Sequence, residues 1–299
     1  MFKQLGLIGC GLMGGSFALA LKSAGLVKHV VGYSQSPSTT ERARGLGVID
    51  AVAESALQAV SGSDIVLIAV PVAATAATFK AIRHLVEPGV LFMDVGSTKR
   101  EVSAAATRVL RERVGSFVPA HPIAGKELAG VQHADATLYN GRHVILTPLP
   151  QTNAQLLQKA TDVWSAIGAK VLKMSPDNHD AAFAAVSHLP HLLAFAYFAA
   201  IAQQASGADY LSLAGPGFRD FTRIAASDAT VWRDILMSNR DEVLKQSRGF
   251  RAMLDSIEKL LKDDDGEALE AQLRQISDAR SHWHMGQVGR VAAPKTPKR

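Results

Sequence analysis

Between an apolar run, Lys3–Ile8, and a helix-forming run, Ser16–Ala24, the chain reads Gly9-Cys10-Gly11-Leu12-Met13-Gly14. A second apolar run follows at His29–Tyr33. The pattern G-x-G-x-x-G is weak by itself, because glycines recur by chance. In a strand–turn–helix–strand setting it constrains the chain strongly. Gly9 permits the tight turn, Gly11 lets the backbone approach a pyrophosphate, and Gly14 lets the helix pack on the strand. Leu12 and Met13, inside the glycine loop, are assigned to the cofactor as well, and free N–H groups at the start of the following helix face an anion. The feature therefore predicts a dinucleotide-binding α/β domain.

The residue that ends the second strand sets the preference at the ribose 2′ position. An acid there accepts bonds from the ribose hydroxyls and repels a 2′-phosphate. This chain has Ser34 instead, with Arg42 and Arg44 nearby and no carboxylate before Glu41. That combination favours NADP, with NAD as the alternative. Val70-Pro71, at the end of a third apolar run, is placed beside the cofactor.

Further strand-like runs occur at Ile65–Val70, Val90–Val95, Ser116–Ala120, His143–Thr147 and Ala169–Met174. Helix patterns separate them, one with an apolar stripe at Leu156, Ala160, Val163, Trp164 and Ile167. The alternation predicts a doubly wound α/β sheet. After Ser175-Pro176-Asp177, a turn and helix start, no strand pattern recurs. Helices are expected over 177–205, 208–226, 228–262 and 266–285. With 299 residues the chain has room for two domains. They are expected at 1–175 (Rossmann-type) and 176–288 (all-helical), with 289–299 as a disordered tail.

Composition excludes several classes. Hydrophobic residues make 47% and charged residues 20%, as in a soluble globular protein. The net charge of +5 gathers partly in the last residues, VAAPKTPKR, so it does not require nucleic acid as a partner. Cys10 is the one cysteine, which fits a reducing cytoplasm. Residues 5–21 are apolar but hold five glycines, so they read as buried strand, turn and helix and not as a signal peptide. The apolar run Leu192–Ala202 is too short to span a bilayer and reads as a buried helix. No membrane partner is expected.

One constellation carries chemistry. Ala120-His121-Pro122-Ile123-Ala124-Gly125-Lys126-Glu127 follows a strand candidate, where parallel sheets place their ligands. His121 is the candidate acid–base residue. No cluster with metal-ligand spacing supports a metal; His188 and His191, three apart, lack partners of that kind.

HPIAGKE resembles the HP(I/M)AG motif of the prephenate and arogenate dehydrogenases. Asp94-Val95-Gly96-Ser97-Thr98-Lys99 resembles that family's D-x-x-S-x-K segment, and Ser187–His191 its SHLPH segment. Gly217–Ala225 followed by Trp232–Ile235 resembles its helical-domain signature. These matches run in order from residue 5 to about 240. The resemblance implies oxidative decarboxylation of prephenate or arogenate with hydride transfer to NAD(P)+, in tyrosine biosynthesis. It implies His121 as acceptor or general base and Ser97 as a donor that orients it. Arg223 is implied as a clamp for a substrate carboxylate, a task suited to the guanidinium fork. His188, His191 and Arg219 are candidate substrate contacts. Where several relatives have Thr or Ser, this chain has Lys126, which leans the choice toward prephenate. Long apolar helix faces predict a homodimer through the C-terminal helices. Two rivals remain: a β-hydroxyacid dehydrogenase, whose K-x-x-x-N motif is not found near 165–185, and a non-catalytic dinucleotide sensor.

Overall fold

The computed structural model describes residues 1–125 and 128–285. The chain forms two compact units, Met1–Val243 and a second from Leu244 on.

The first unit is built on a parallel sheet. Strands β1 (Phe2–Ile8), β2 (Val27–Tyr33), β3 (Ala51–Val52), β4 (Ile65–Ile68), β5 (Leu91–Asp94) and β6 (Phe117–Val118) lie in the order β3-β2-β1-β4-β5-β6. The central runs Leu5–Ile8 and Ile65–Ile68 are buried along their whole length, because helices cover both faces. On one face α1 (Leu12–Ser23) and α6 (Ala154–Ala166) pack with Phe17, Leu21 and Trp164. On the other, α4 (Thr75–Ile82) and α5 (Arg100–Leu110) contribute Phe79, Val102 and Ala106. The Trp164 ring is fully buried, 4.8 Å from Phe17 and 5.2 Å from Tyr139. Burying such a ring stabilises the layer by about 3 kcal/mol.

Two expectations about the sheet need correction. The strand-like runs do not share one sheet. Pro119, which cannot donate a ladder bond, separates β6 from β7 (Ala120–Pro122). There the chain passes into a second sheet, β7-β8-β9, with β8 at His143–Leu146 and β9 at Lys170–Lys173. β7 runs antiparallel to β8, with His121 opposite Ile145. His121 thus lies inside the first strand of the small sheet and not just beyond a strand of the large one. The first helix starts at Leu12 and not at Ser16, because Gly11 is already its extended N-cap.

After β9 the described residues contain helices only, more broken than the pattern predicts. The stretch expected at 177–205 divides into α7 (Pro176–Phe183), a π-turn over Ala184–His188, and α8 (Leu189–Ala202). Pro190, near the start of α8, has no N–H to continue the helical ladder. Ser175 caps α7 by accepting from Asn178 N–H. The stretch 208–226 divides into α9 (Gly207–Ser212) and α10 (Pro216–Thr222), followed by a 3₁₀ turn over Arg223–Ala226; Gly215-Pro216-Gly217 supplies the break. Asn239 separates α11 (Ala229–Ser238) from α12 (Arg240–Lys262).

The apolar run Leu192–Ala202 is not the buried helix expected. In α8 only Leu189 and Ala194 are buried, while Tyr197 and Phe198 are 44% and 41% exposed. In the second unit, Leu254 and Leu261 of α12 are exposed, as are Leu273 and Ile276 of α13 (Gly266–Ser281).

Candidate active site

The glycine turn is shaped as the motif requires. Gly9 has φ +97°, and a Cβ there would stand 2.2 Å from the Ala69 carbonyl oxygen. A Cβ on Gly14 would stand 2.1 Å from the Gly9 oxygen. The space above Gly11 is open, with no atom within 4 Å of a Cβ built there. The turn is fastened from both sides. Gly9 N–H donates to Tyr33 O, Cys10 N–H donates to Ser34 Oγ at 2.8 Å, and Tyr139 Oη donates to Met13 O at 2.6 Å. Closed glycines below and open space above fit a cradle for a dinucleotide's phosphates. Ser34 Oγ accepts from Cys10 N–H, and its side chain also bonds the Cys10 thiol, so Ser34 ties the turn to the end of β2. Val70 and Pro71 follow β4 beside this turn, half-buried and exposed respectively.

A buried ion pair sets the position of His121. Lys99 and Asp94 are both essentially unexposed and bonded to each other. Asp94 Oδ1 accepts from Ala120 N–H at 3.0 Å, and Lys99 Nζ donates to Ala120 O at 2.8 Å. The pair grips both polar ends of the residue preceding His121. Burial lowers the Lys99 pKa, with Asp94 opposing.

The same segment reaches forward to α7. Lys99 N–H donates to Asp180 Oδ1 at 2.8 Å and Arg100 N–H to Asp180 Oδ2 at 2.9 Å. Asp180 Oδ1 lies 2.7 Å from His179 Nδ1, and His179 Nε2 lies 2.8 Å from His121 Nδ1. Burial opposes ionisation of Asp180, but the bonds from His179, Arg100 and Lys99 outweigh it and hold the carboxyl below its usual range. Burial pushes His121 well below the ordinary histidine value, helped by His179, Lys99 and His188. His121 is therefore neutral at physiological pH, as a base must be.

A second arm branches at Asn239. Its Nδ2 donates to Asp180 O at 2.7 Å and lies 3.1 Å from His188 Nδ1, which must accept. Burial pushes buried His188 down to about 4. His191 Nδ1 donates to Ser187 O, and its ring stacks on Trp232 with centroids 3.4 Å apart. Arg223 is exposed and near enough to His191 to lower its pKa, after burial and against the Ser187 bond. Arg219 is exposed and paired with its neighbour Asp220. Ser97 is half-buried in the turn before α5, and among the described residues no hydrogen bond joins it to His121. The orienting partner seen for His121 is His179 instead. Lys126 lies outside the described residues.

His121 opens into a cavity of about 450 Å³ shared with Pro122, Gly125, Arg142, Phe183 and Ser187. His179, Asp180, Asn239 and Arg142 escaped the sequence reading. Ser175-Pro176-Asp177 reads as an ordinary turn and helix start. The adjacent His-Asp pair, placed on a short helix, was the one available signal.

Family comparison decides what this arrangement belongs to. The nucleotide-binding domain of prephenate dehydrogenase matches residues 17–173, and that family's dimerization domain matches residues 175–275. The chain belongs to the prephenate dehydrogenase family. Within it, the prephenate dehydrogenase of Bacillus subtilis is 34% identical over 293 residues, covering 96% of this chain and 78% of that protein. The cyclohexadienyl dehydrogenase of Zymomonas mobilis is 33% identical, covering 94% of this chain and 96% of its own length. The crystal structure of the A. aeolicus prephenate dehydrogenase, in complex with hydroxyphenyl propionate and NAD+, superposes with a TM-score of 0.88. It is 35% identical and covers 94% of this chain and 98% of its own. The chain is an oxidoreductase of this family.

Proposed function

We propose that this chain oxidatively decarboxylates prephenate to 4-hydroxyphenylpyruvate, with NADP preferred over NAD as the hydride acceptor. One observation carries the reading: His121, neutral, bonded to His179 and next to the Ala120 that Lys99 grips, opens into a cavity that Arg142 also lines.

A nicotinamide dinucleotide in the glycine cradle supplies the hydride acceptor. The rest falls to the protein. Prephenate carries a ring hydroxyl para to a carbon that bears a carboxylate, and a second carboxylate on its side chain. His121 accepts the hydroxyl proton as hydride leaves the carbinol carbon. The carboxyl departs as CO2, its bonding electrons complete the aromatic ring, and His121 returns the proton to the phenolic oxygen. Two anionic groups call for two cations, and Arg142 and Arg223 are assigned to them. Ser97 lies close in sequence to the Lys99 hub and is assigned to the hydroxyl region. The NADP preference rests on Ser34 in place of an acid, with Arg42 and Arg44 exposed on α2 (Pro37–Gly45).

The match to a dimerization domain and the exposed apolar residues of α8, α12 and α13 support a homodimer.

The test crosses prephenate and arogenate against NADP and NAD in a cofactor-reduction assay. Prephenate with NADP should give the highest kcat/KM. Arg142→Gln and Arg223→Ala should chiefly raise KM. Turnover of neither substrate would remove the proposal, and equal use of both cofactors would remove the Ser34 argument.

A further inference from the structure

We infer that His179 and Asp180 are a positioning dyad, which fixes the tautomer of His121 so that its Nε2 is the bare nitrogen facing substrate. The inference rests on reading His121 as the base.

The bonds dictate the protons. Asp180 is ionised, held by two backbone N–H groups at the start of α5, and it can only accept. His179 Nδ1 must therefore carry a proton and donate to it. Burial keeps His179 neutral, working against the Asp180 bond, so its Nε2 is left as a lone pair. The partner of that lone pair at 2.8 Å is His121 Nδ1, which must then be the protonated nitrogen of His121. A neutral imidazole has one N–H, so His121 Nε2 is bare. That nitrogen can take a proton from a substrate hydroxyl. When it does, the new positive charge is spread toward an acceptor already in place, with an ionised carboxylate one ring further on.

Three other features favour a built device over an incidental packing contact. His179 and Asp180 are wholly buried. The His121, His179 and Phe183 rings contact one another with centroids 4.5–5.0 Å apart, which limits rotation. Asn239 fixes the Asp180 backbone from the other side.

Reversing one donor should reverse the whole chain. With Asp180→Asn, the amide can donate to His179 Nδ1; His179 then donates from Nε2, and His121 is left with its proton on the substrate side. Triads in unrelated enzymes lose about 10⁴-fold in kcat by this route. His179→Gln can keep an acceptor near Nε2, whereas His179→Ala cannot.

The experiment combines imidazole ¹⁵N spectra with kinetics on the full chain. The His121 signals are identified by their loss in His121→Asn. The wild type at neutral pH should show His121 protonated at Nδ1, and Asp180→Asn should show it protonated at Nε2. His179→Ala should lower kcat about 10²-fold or more with KM changed less than about threefold, and His179→Gln should recover most of that loss. Asp180 also binds the α5 N-terminus; if Asp180→Asn fails to fold, the wild-type spectrum and the His179 pair decide. A wild-type His121 protonated at Nε2, or His179→Ala with kcat within threefold of wild type, overturns the dyad. Failure of the wild type to turn over prephenate would strike the proposed function, and the spectrum would still decide the tautomer.

Discussion

Lys99 shows how much one side chain can organise. Its ammonium holds Asp94 and the Ala120 carbonyl, and its backbone N–H holds Asp180. Both partners of the ion pair are out of water, so removing one leaves an uncompensated charge in the core. Lys99→Met should cost about 3–5 kcal/mol of unfolding free energy, read from urea denaturation. A loss below about 1 kcal/mol would mean that Asp94 is simply protonated or hydrated in the variant. Gly9 and Gly14 were legible as requirements because backbone atoms crowd their missing side chains, a constraint a motif records. Lys99 was legible only as part of a resemblance. Nothing in its own neighbourhood shows that its head is buried, because its partners come from β5 and β7.

At the level of elements, β1, β4 and β5 of the large sheet were readable because burial on both faces forces continuous apolar runs, whereas the two-residue edge strand β3 was missed because so short a pairing leaves no pattern. The handover at Pro119 was not readable either, since a proline between two apolar pairs also suits a strand end. The helix breaks at Ala184–His188 and Asn239 were hidden for another reason. They stand where polar side chains bond across elements, and local propensity does not register those bonds. Burying polar rings to make those bonds has a cost in protonation. Burial lowers His121, His179 and His188 below the usual value near 6.5. The unfolded chain binds protons at these sites that the folded chain refuses. Stability should therefore be level above about pH 7 and fall as pH drops below 6.5. The slope should reach about 1.4 kcal/mol per pH unit for each histidine kept neutral. A Tm series from pH 8 to pH 5 measures it; a Tm that held constant would mean the three rings are not kept neutral by the fold.

For the molecule as a whole, the exposed apolar residues are the main unfinished surface. Tyr197, Phe198 and Phe221 form an aromatic group on α8 and α10 at 41–54% exposure. Phe250, Met253, Leu254 and Leu261 add exposed positions on α12. A long-lived homodimer of this kind buries roughly 2,000 Å² or more. Phe198→Asp combined with Leu254→Asp should shift the sedimentation coefficient from dimer to monomer at micromolar concentration. A wild type that sediments as a monomer would leave those faces unexplained. The change from alternating strands and helices to helices alone was legible from the loss of strand patterns after Met174; the division of the chain into units at Val243 and Leu244 was not, because it falls inside one continuous helix. The depth to which α7 bonds into the sheet unit was not, because it depends on His179 and Asp180, two polar residues with no periodic signature.

The proposed function assigns the substrate's proton to the imidazole of His121, and substitution of that residue is the most direct measurement. In steady-state reduction of NADP by prephenate, His121→Asn should lower kcat by about 10²–10⁴-fold while KM stays within about threefold of wild type. A His121→Asn enzyme that keeps its kcat would show that the proton is taken elsewhere and that His121 is not the base.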